Sequence, residues 1–360
     1  MILTYKIKHN YDFSLQLQQA KQVAEFAIRN RDKISSKYVK HIGLKSAIAN
    51  QILRKYGRNK NTKKVNQVKL TIPNQAIKLD QNTRTISIPC LNVQFKYEFK
   101  QQFSKINQIE VGPEWFYVSV DVEEQPVQKA TIWIGVDLNT TGHCCVAANP
   151  TTGKVLKLGK KAYHIHNKYR NIRKHLQRLK KGKKLKTIRR REQNIERDLN
   201  HKISKKLVEY AKKNECGLKL EDLKGIRKAK STKSFRYGLN SWSFYQLRQM
   251  IEYKAKLRGV EVCYIDPAYT SKECSRCGLI ANRNGKVLRC PNCGHVAHAD
   301  VDAAFTIASR KPGVKRSKRD RDRLEGNTDI PQAEMGLKAI QPQEPAILQV
   351  VEYVSGAAHL

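Results

Sequence analysis

Four cysteines occur as two Cys-x-x-Cys pairs, Cys274/Cys277 and Cys290/Cys293, and a glycine directly follows each pair. A two-residue gap lets both thiolates of a pair face one ion, and glycine permits the tight turn that exposes backbone amides to sulfur. Four thiolates complete a closed tetrahedral shell, so the pattern predicts one structural Zn²⁺ ion. The alternative, four unrelated cysteines, is disfavoured by this spacing.

Three separated carboxylates are the candidates for catalysis. Asp137 lies in an apolar strand, Glu221 ends another, and Asp300 begins a helix with an apolar face. Groups at the carboxyl ends of strands converge on one crevice of an open α/β sheet. Three carboxylates there would bind two Mg²⁺ ions and hydrolyse a phosphodiester. Each acid also has a structural interpretation: Asp137 as half of an ion pair, Glu221 as a surface acid, and Asp300 as a helix cap.

The elements that must position these acids form an α/β pattern after residue 128. Residues 131–138 are nearly continuous in apolar residues, as in a buried central strand. Further strands and helices alternate along the chain to residue 265, and residues 266–297 are a cysteine-rich insert. The helices are predicted near 164–181, 190–213 and 241–258, with one more beginning near Asp300.

The region before residue 128 is different. It contains many short alternating strands with turn residues between them, which predicts a small β-barrel. The chain is predicted to begin with a barrel (1–10 and 62–127) that contains a helical insertion (11–61). An α/β domain (128–265 and 298–311) with an inserted zinc ribbon (266–297) follows, and the chain ends in a disordered basic tail (312–360).

The charge balance points to a polyanionic partner. Lys plus Arg number 70 against 31 Asp plus Glu, which gives a net charge of +39. Such a chain repels itself unless nucleic acid neutralises it. No apolar run is long enough to span a membrane, so no membrane partner is expected, and the start does not read as a secretory signal. Cysteines clustered at metal-binding spacing predict that the protein is located in a reducing compartment, the cytoplasm.

The densest basic segment, residues 168–191, holds 13 Lys or Arg and no acid. A solvated helical hairpin is the ordinary interpretation of such a run, but the one-sided charge favours phosphate contact. A polar loop after Glu221 could cover the active site and guide a single strand. The candidate nucleic-acid contacts are Arg170, Arg173, Lys174, Arg178, Lys180, Lys181, Arg189, Arg190, Arg227, Lys228 and Arg236.

In their order, these motifs resemble TnpB, the family of RNA-guided DNA endonucleases of insertion sequences and relatives of type V CRISPR effectors. The matching residues are Ile134-Gly-Val-Asp137, Asn200–Val208, Leu220-Glu-Asp-Leu223, Thr270-Ser with the two cysteine pairs, and Asp300-x-Asp-Ala-Ala304. Asp302 stands where asparagine is usual, while Asp300 keeps the expected offset from the two alanines.

The resemblance implies a fold of α/β plus β class. It implies an N-terminal wedge-type β-barrel with a helical insertion, then an RNase-H-like (RuvC) nuclease domain with an inserted zinc ribbon. Asp137, Glu221 and Asp300 would be the catalytic ligands of two Mg²⁺ ions. The expected partners are a guide RNA and double-stranded target DNA, bound by a monomeric protein in a ribonucleoprotein.

Three other functions remain open, of which the last, a plain zinc-ribbon nucleic-acid module, leaves most of the α/β core unexplained. A guide-independent RNase-H-fold nuclease or transposase would need the same three acids without a bound RNA. A non-cleaving RNA-guided DNA-binding regulator would occupy DNA without cutting it, and the presence of all three acids argues against it.

Overall fold

A computed structural model describes residues 1–223, 244–314 and 350–352. The chain divides into two compact units, Met1–Glu124 and Gln125–Leu360. None of the helices within the described ranges combines the length and the apolar character needed to cross a membrane.

The N-terminal unit contains seven strands and two long helices within the described residues. One antiparallel sheet has the order β1-β7-β6-β2, and a second has the order β3-β4-β5. The elements are β1 (Ile2–Lys8), α1 (Ser14–Arg29), a 3₁₀ helix (Ser36–Ile42), α2 (Ser46–Arg58), β2 (Leu70–Pro73), β3 (Lys78–Asp80), β4 (Thr85–Ile88), β5 (Val93–Lys96), β6 (Phe103–Val111) and β7 (Trp115–Val122).

These two sheets do not close into the predicted β-barrel, so that prediction is wrong. In the described part of the chain, no strand pairing joins the two sheets. Side-chain packing covers the apolar faces instead: the rings of Phe95 and Phe116 stack with centroids 4.3 Å apart, and α2 packs on β2. Alternating apolar residues require a covered face, but they do not determine whether another strand, a ring or a helix covers it.

The second unit is built on a six-stranded mixed sheet of order β12-β11-β8-β9-β10-β16. β11 pairs in parallel with β8 and β12, whereas β9 is antiparallel to both of its neighbours. The elements are β8 (Trp133–Leu138), β9 (Cys145–Ala148), β10 (Val155–Leu158), α3 (Lys160–Arg178), α4 (Gly182–Lys213), β11 (Gly217–Glu221), α5 (Phe244–Arg258), β12 (Val262–Ile265), β13 (Asn282–Asn284), β14 (Val287–Arg289), β15 (Val296–His298), α6 (Ala299–Ser309) and β16 (Val350–Glu352).

Both faces of this sheet are covered by helices. Ile134 and Val136 join the apolar core that includes side chains of α4 and α5. The intervening Gly135 faces α6, which lies on the opposite side of the sheet. Successive residues of a strand point to opposite faces, so Asp137 shares the face of Gly135. The near-continuous apolar sequence of this strand follows from burial on both faces.

The structure differs from the sequence-based expectations in the bounds of two helices and in one strand near the C-terminus. The helices predicted near 164–181 and 190–213 are longer toward their N-termini and are separated by the short turn at 179–181. Residues 350–352, inside the segment predicted to be disordered, form a strand that pairs in parallel with β10. The predicted basic loop after Glu221 lies outside the described residues.

Candidate functional site

Asp137 is placed by a very close contact between β8 and α6. A Cβ built on Gly135 would lie 2.0 Å from the carbonyl oxygen of Ala304 and 2.4 Å from the backbone nitrogen of Ala308. Two residues along a strand span roughly 6.7 Å and four along a helix roughly 6 Å. The distance along β8 from Gly135 to Asp137 is therefore similar to the distance along α6 from Ala304 back to Asp300. This places the two acids on the same side of the contact between Gly135 and Ala304.

Glu221 reaches the same region through strand register. Leu220 pairs with Val136 in the parallel ladder, so Glu221 follows it beside Asp137. The Thr270 hydroxyl donates a hydrogen bond to Oε1 of Glu221. The segment that carries Thr270 is itself held by Arg310, whose guanidinium donates to the carbonyl oxygens of Asp266 and Ala268 at 2.8 and 2.7 Å. The glutamate is thus oriented by a second layer of contacts.

Asp300 lies in the first turn of α6 and is almost fully buried. Its oxygens accept from Arg283 at 3.3 Å and from Lys286 at 2.6 Å, two residues of the hairpin formed by β13 and β14. His298, and not Asp300, occupies the N-cap position of α6. The interpretation of Asp300 as a helix cap therefore does not hold in this structure.

The electrostatics of the site are those of neighbouring buried acids, of which Asp300 is ion-paired to Arg283 and Lys286. Burial raises the pKa of Asp137 to about 8, and the nearby charges of Glu221 and Asp300 add to the rise, while a 2.7 Å hydrogen bond from Asn139 opposes it. Burial also raises the pKa of Glu221, against the hydrogen bond from Thr270 and the charge of Arg310. An unpaired buried carboxylate is unstable and takes up a proton or a cation.

An all-oxygen donor set of this kind fits a hard divalent cation such as Mg²⁺. In this structure, Asp137, Glu221 and Asp300 do not bring one carboxylate oxygen each to within 4.8 Å of one another. Asp300 is the acid that is turned toward other partners, Arg283 and Lys286.

Asp302, the neighbouring acid, has a different role in the structure. It accepts from the Ser275 hydroxyl at 2.6 Å and contacts His295 Nε2 at 3.2 Å. These contacts join α6 to the cysteine-rich insert. The Asp302 carboxylate is therefore engaged with Ser275 and His295.

The four predicted zinc ligands come together in that insert. Sγ of Cys274 lies 3.8 Å from that of Cys293, and Sγ of Cys277 lies 3.5 Å from that of Cys290. All four ligand atoms lie within 4.8 Å of one another. A tetrahedron with Zn–S bonds of about 2.3 Å has S···S edges of about 3.8 Å, so this thiol set fits one Zn²⁺ ion.

The candidate nucleic-acid contacts divide by exposure. Eight of them lie on α3, α4 and the turn between them. Arg170 and Arg173 are half-buried, and Arg173 is ion-paired to Glu192. Arg227, Lys228 and Arg236 lie outside the described residues. The exposed ones are Lys174, Arg178, Lys180, Lys181, Arg189 and Arg190.

Sequence reasoning missed several residues of these sites. Thr270 was noticed only as part of a motif, and nothing in the chain's spacing connects Arg283 or Lys286 with Asp300. Glu192 and Glu196 lie next to His166 between α3 and α4, and the ligand atoms of these three lie within 4.8 Å of one another. The available signal was the spacing of two glutamates, four residues apart, on the face of a helix that packs on another.

Comparison with known proteins agrees with the sequence resemblance. The family model of the Cas12f1-like TNB domain matches residues 244–307. The TnpB-like protein MJ0751 of Methanocaldococcus jannaschii is 39% identical over 163 residues, 43% of this chain and 59% of that protein. The CRISPR-associated endodeoxyribonuclease Cas12f1 of Sulfoacidibacillus thermotolerans is 41% identical over 133 residues, 36% of this chain and 30% of that protein.

A third relative matches over a longer stretch. The putative RNA-guided DNA endonuclease InsQ of Escherichia coli K12 is 26% identical over 264 residues, 65% of this chain and 63% of that protein. A chain in the cryo-EM structure of a Cas12f1–sgRNA–target DNA complex aligns over 86% of this chain and 99% of that chain, with 18% identity and a TM-score of 0.43.

In each of these three relatives the matched region covers less than two thirds of the relative's length. The resemblance expected from the motifs is nevertheless confirmed: the chain is similar to TnpB-like proteins and to Cas12f endonucleases, and its residues 244–307 match a Cas12f1-like TNB domain.

Proposed function

We propose that the protein is an RNA-guided DNA endonuclease of a transposable element. The observation that carries the proposal is the burial of Asp137 near Glu221 and Asp300: burial raises the pKa of Asp137 to about 8, and the charges of the other two acids add to the rise. Strongly perturbed acids on one crevice are typical of catalytic sites. Support also comes from the names of two relatives, an endodeoxyribonuclease and a putative RNA-guided DNA endonuclease.

Asp137, Glu221 and Asp300 are the groups that would hold two Mg²⁺ ions. When bound, such a pair activates a water molecule and stabilises the leaving oxygen of an in-line phosphodiester attack. Asn139 and Thr270 orient two of the carboxylates by donating hydrogen bonds to them. The four thiolates would hold a structural Zn²⁺ ion that maintains the insert next to Asp300.

The proposed division of labour assigns sequence recognition to base pairing. The protein reads a short motif beside the target, and the guide RNA reads the rest. The N-terminal unit would grip the guide RNA, residues 128–265 and 298–311 would form the RuvC-like nuclease domain, and residues 266–297 would bind the target. The six exposed candidate contacts on α3, α4 and their turn supply a surface for phosphates.

The first experiment is to identify the RNA that the protein retains. We would express the chain with its native downstream DNA, purify it through high salt and sequence the bound RNA. A single species that ends in a variable segment from beyond the element supports guided recognition. Heterogeneous RNA, or none, would favour a guide-independent nuclease.

Cleavage is then tested with that RNA, a matched DNA target and Mg²⁺. The Asp137→Ala protein is expected to bind the target without cutting it. Wild-type protein that occupies the target tightly and yields no Mg²⁺-dependent product would instead favour the non-cleaving regulator.

A further inference from the structure

A second group of side chains that could hold a metal ion, sharing no residue with the two sites described above, lies between α3 and α4. His166 belongs to α3, while Glu192 and Glu196 belong to α4. Residues four apart share one face of a helix, so the two glutamates face α3 together. The histidine nitrogen and the carboxylate oxygens of these three side chains lie within 4.8 Å of one another. We refer to the three residues as the hairpin cluster.

Burial distinguishes the hairpin cluster from an ordinary acidic surface. Glu192 is 5% exposed and Glu196 is 8% exposed. Arg173 forms an ion pair with Glu192. Among the residues that the structure describes, Glu196 makes no hydrogen bond and no ion pair, although its carboxylate points at the other two ligands. One guanidinium thus serves two buried carboxylates: it is ion-paired to Glu192, and its charge only partly offsets the burial of Glu196.

The protonation of the cluster suits a cation near neutral pH. Burial raises the pKa of Glu196 to about 7, against the charge of Arg173. Burial lowers the pKa of His166, and Arg173 and Arg170 lower it further. The imidazole is therefore neutral at neutral pH, which is the form that binds metal ions, and a metal ion has to displace at most one proton from Glu196.

We propose that His166, Glu192 and Glu196 bind one divalent transition-metal ion of the Zn²⁺ class, separate from the ion of the four cysteines, and that this ion ties α3 to α4. One imidazole with two carboxylates suits such an ion better than Mg²⁺, which prefers oxygen ligands alone. Paired ligands at i and i+4 on one helix face are an established zinc arrangement.

Arg173 is the group that the ion would displace. Its side chain is 23% exposed, so the guanidinium has a route to solvent when the ion takes its place beside Glu192. The consequence for the molecule is a rigid link at the base of the basic hairpin. The proposal does not depend on the proposed nuclease activity, because it concerns metal content alone.

The test is the zinc stoichiometry of the full chain. An Asp137→Asn protein, in which the nuclease carboxylates are weakened, is dialysed to equilibrium against low micromolar Zn²⁺ with excess Mg²⁺, and its zinc is measured by elemental analysis. We expect two zinc ions per chain. Adding Glu196→Gln or His166→Gln should reduce this to one and remove only the part of the zinc-dependent rise in melting temperature that the second ion contributes.

The matched control is Glu209→Gln, which removes an exposed glutamate from the same helix and should leave two ions in place. Circular dichroism and retention of the cysteine-bound zinc verify that each variant is folded. One zinc per chain in the Asp137→Asn protein, or two in folded Glu196→Gln protein, would overturn the proposal. The hairpin cluster would then be a buried ionic network centred on Arg173.

Discussion

Replacing Gly135 with alanine tests whether the contact between β8 and α6 positions the acids. The new Cβ would lie 2.0 Å from the Ala304 oxygen, and real Cβ contacts essentially never fall below 3.0 Å. The strand and the helix must therefore separate by at least 3.0 − 2.0 = 1.0 Å. The atoms that the Cβ meets, in Ala304 and Ala308, belong to the backbone, so no change of rotamer relieves the clash.

Two effects should follow from this displacement. Overpacking of this kind lowers the free energy of unfolding by about 1–3 kcal/mol. Moving a reacting group by about 1 Å costs about 10²-fold in rate. Because Asp300 lies on the displaced helix and Asp137 on the strand, the distance between the two acids changes directly. We therefore expect Gly135→Ala protein to cleave about 100-fold more slowly.

The assay is single-turnover cleavage of a guided target at saturating Mg²⁺, together with unfolding in urea. The matched control is Gly182→Ala at the start of α4, where a Cβ would meet nothing within 4 Å. This control should retain parental cleavage and stability. Parental cleavage and stability in Gly135→Ala protein would refute the reasoning that this contact sets the geometry of the site.

Three further predictions concern the acids and the zinc. In the absence of metal, the free energy of unfolding should fall as pH rises from about 4 to about 8, because folded protein retains a proton on Asp137 that the unfolded chain has lost. Urea titrations at a series of pH values should show a weaker pH dependence for Asp137→Asn protein. An equal pH dependence in wild-type and Asp137→Asn protein would contradict the assignment. Thr270→Val removes the donor to Glu221 and should lower the cleavage rate or the Mg²⁺ affinity about 10–100-fold, which a Mg²⁺ titration of initial rates measures; a parental titration would show that the hydroxyl is dispensable. Cys290→Ser protein should lose the cysteine-bound zinc and its insert should unfold, because such an ion supplies about 10 kcal/mol or more of folding free energy. Elemental analysis measures the zinc and limited proteolysis measures the unfolding of the insert. A protease-resistant insert without zinc would contradict this prediction.

The local signals in this sequence proved the most informative. The two cysteine pairs bring their four sulfur atoms together, as their spacing indicated, because a Cys-x-x-Cys turn places both thiols within one short segment. The acids stood out because a carboxylate in an apolar strand needs a partner. The resemblance to TnpB rested on such local motifs and is confirmed by the relatives.

Features that depend on distant residues were not predictable in this way. The covering of the N-terminal strands by rings and helices, in place of barrel closure, depends on packing between segments that periodicity does not connect. The same holds for the basic side chains at Asp300, which come from a hairpin of the insert.

The sequence by itself therefore determined the residue types available for chemistry, the near-continuous apolar run that includes the buried Ile134 and Val136, and the large positive charge. Only the tertiary structure decided which groups meet: β8 with α6 at the contact of Gly135, and His166 with two glutamates across a helical hairpin. The physical reason is that side-chain chemistry and short-range periodicity are properties of the local chain. A contact between distant segments depends instead on the register and the close packing of whole elements.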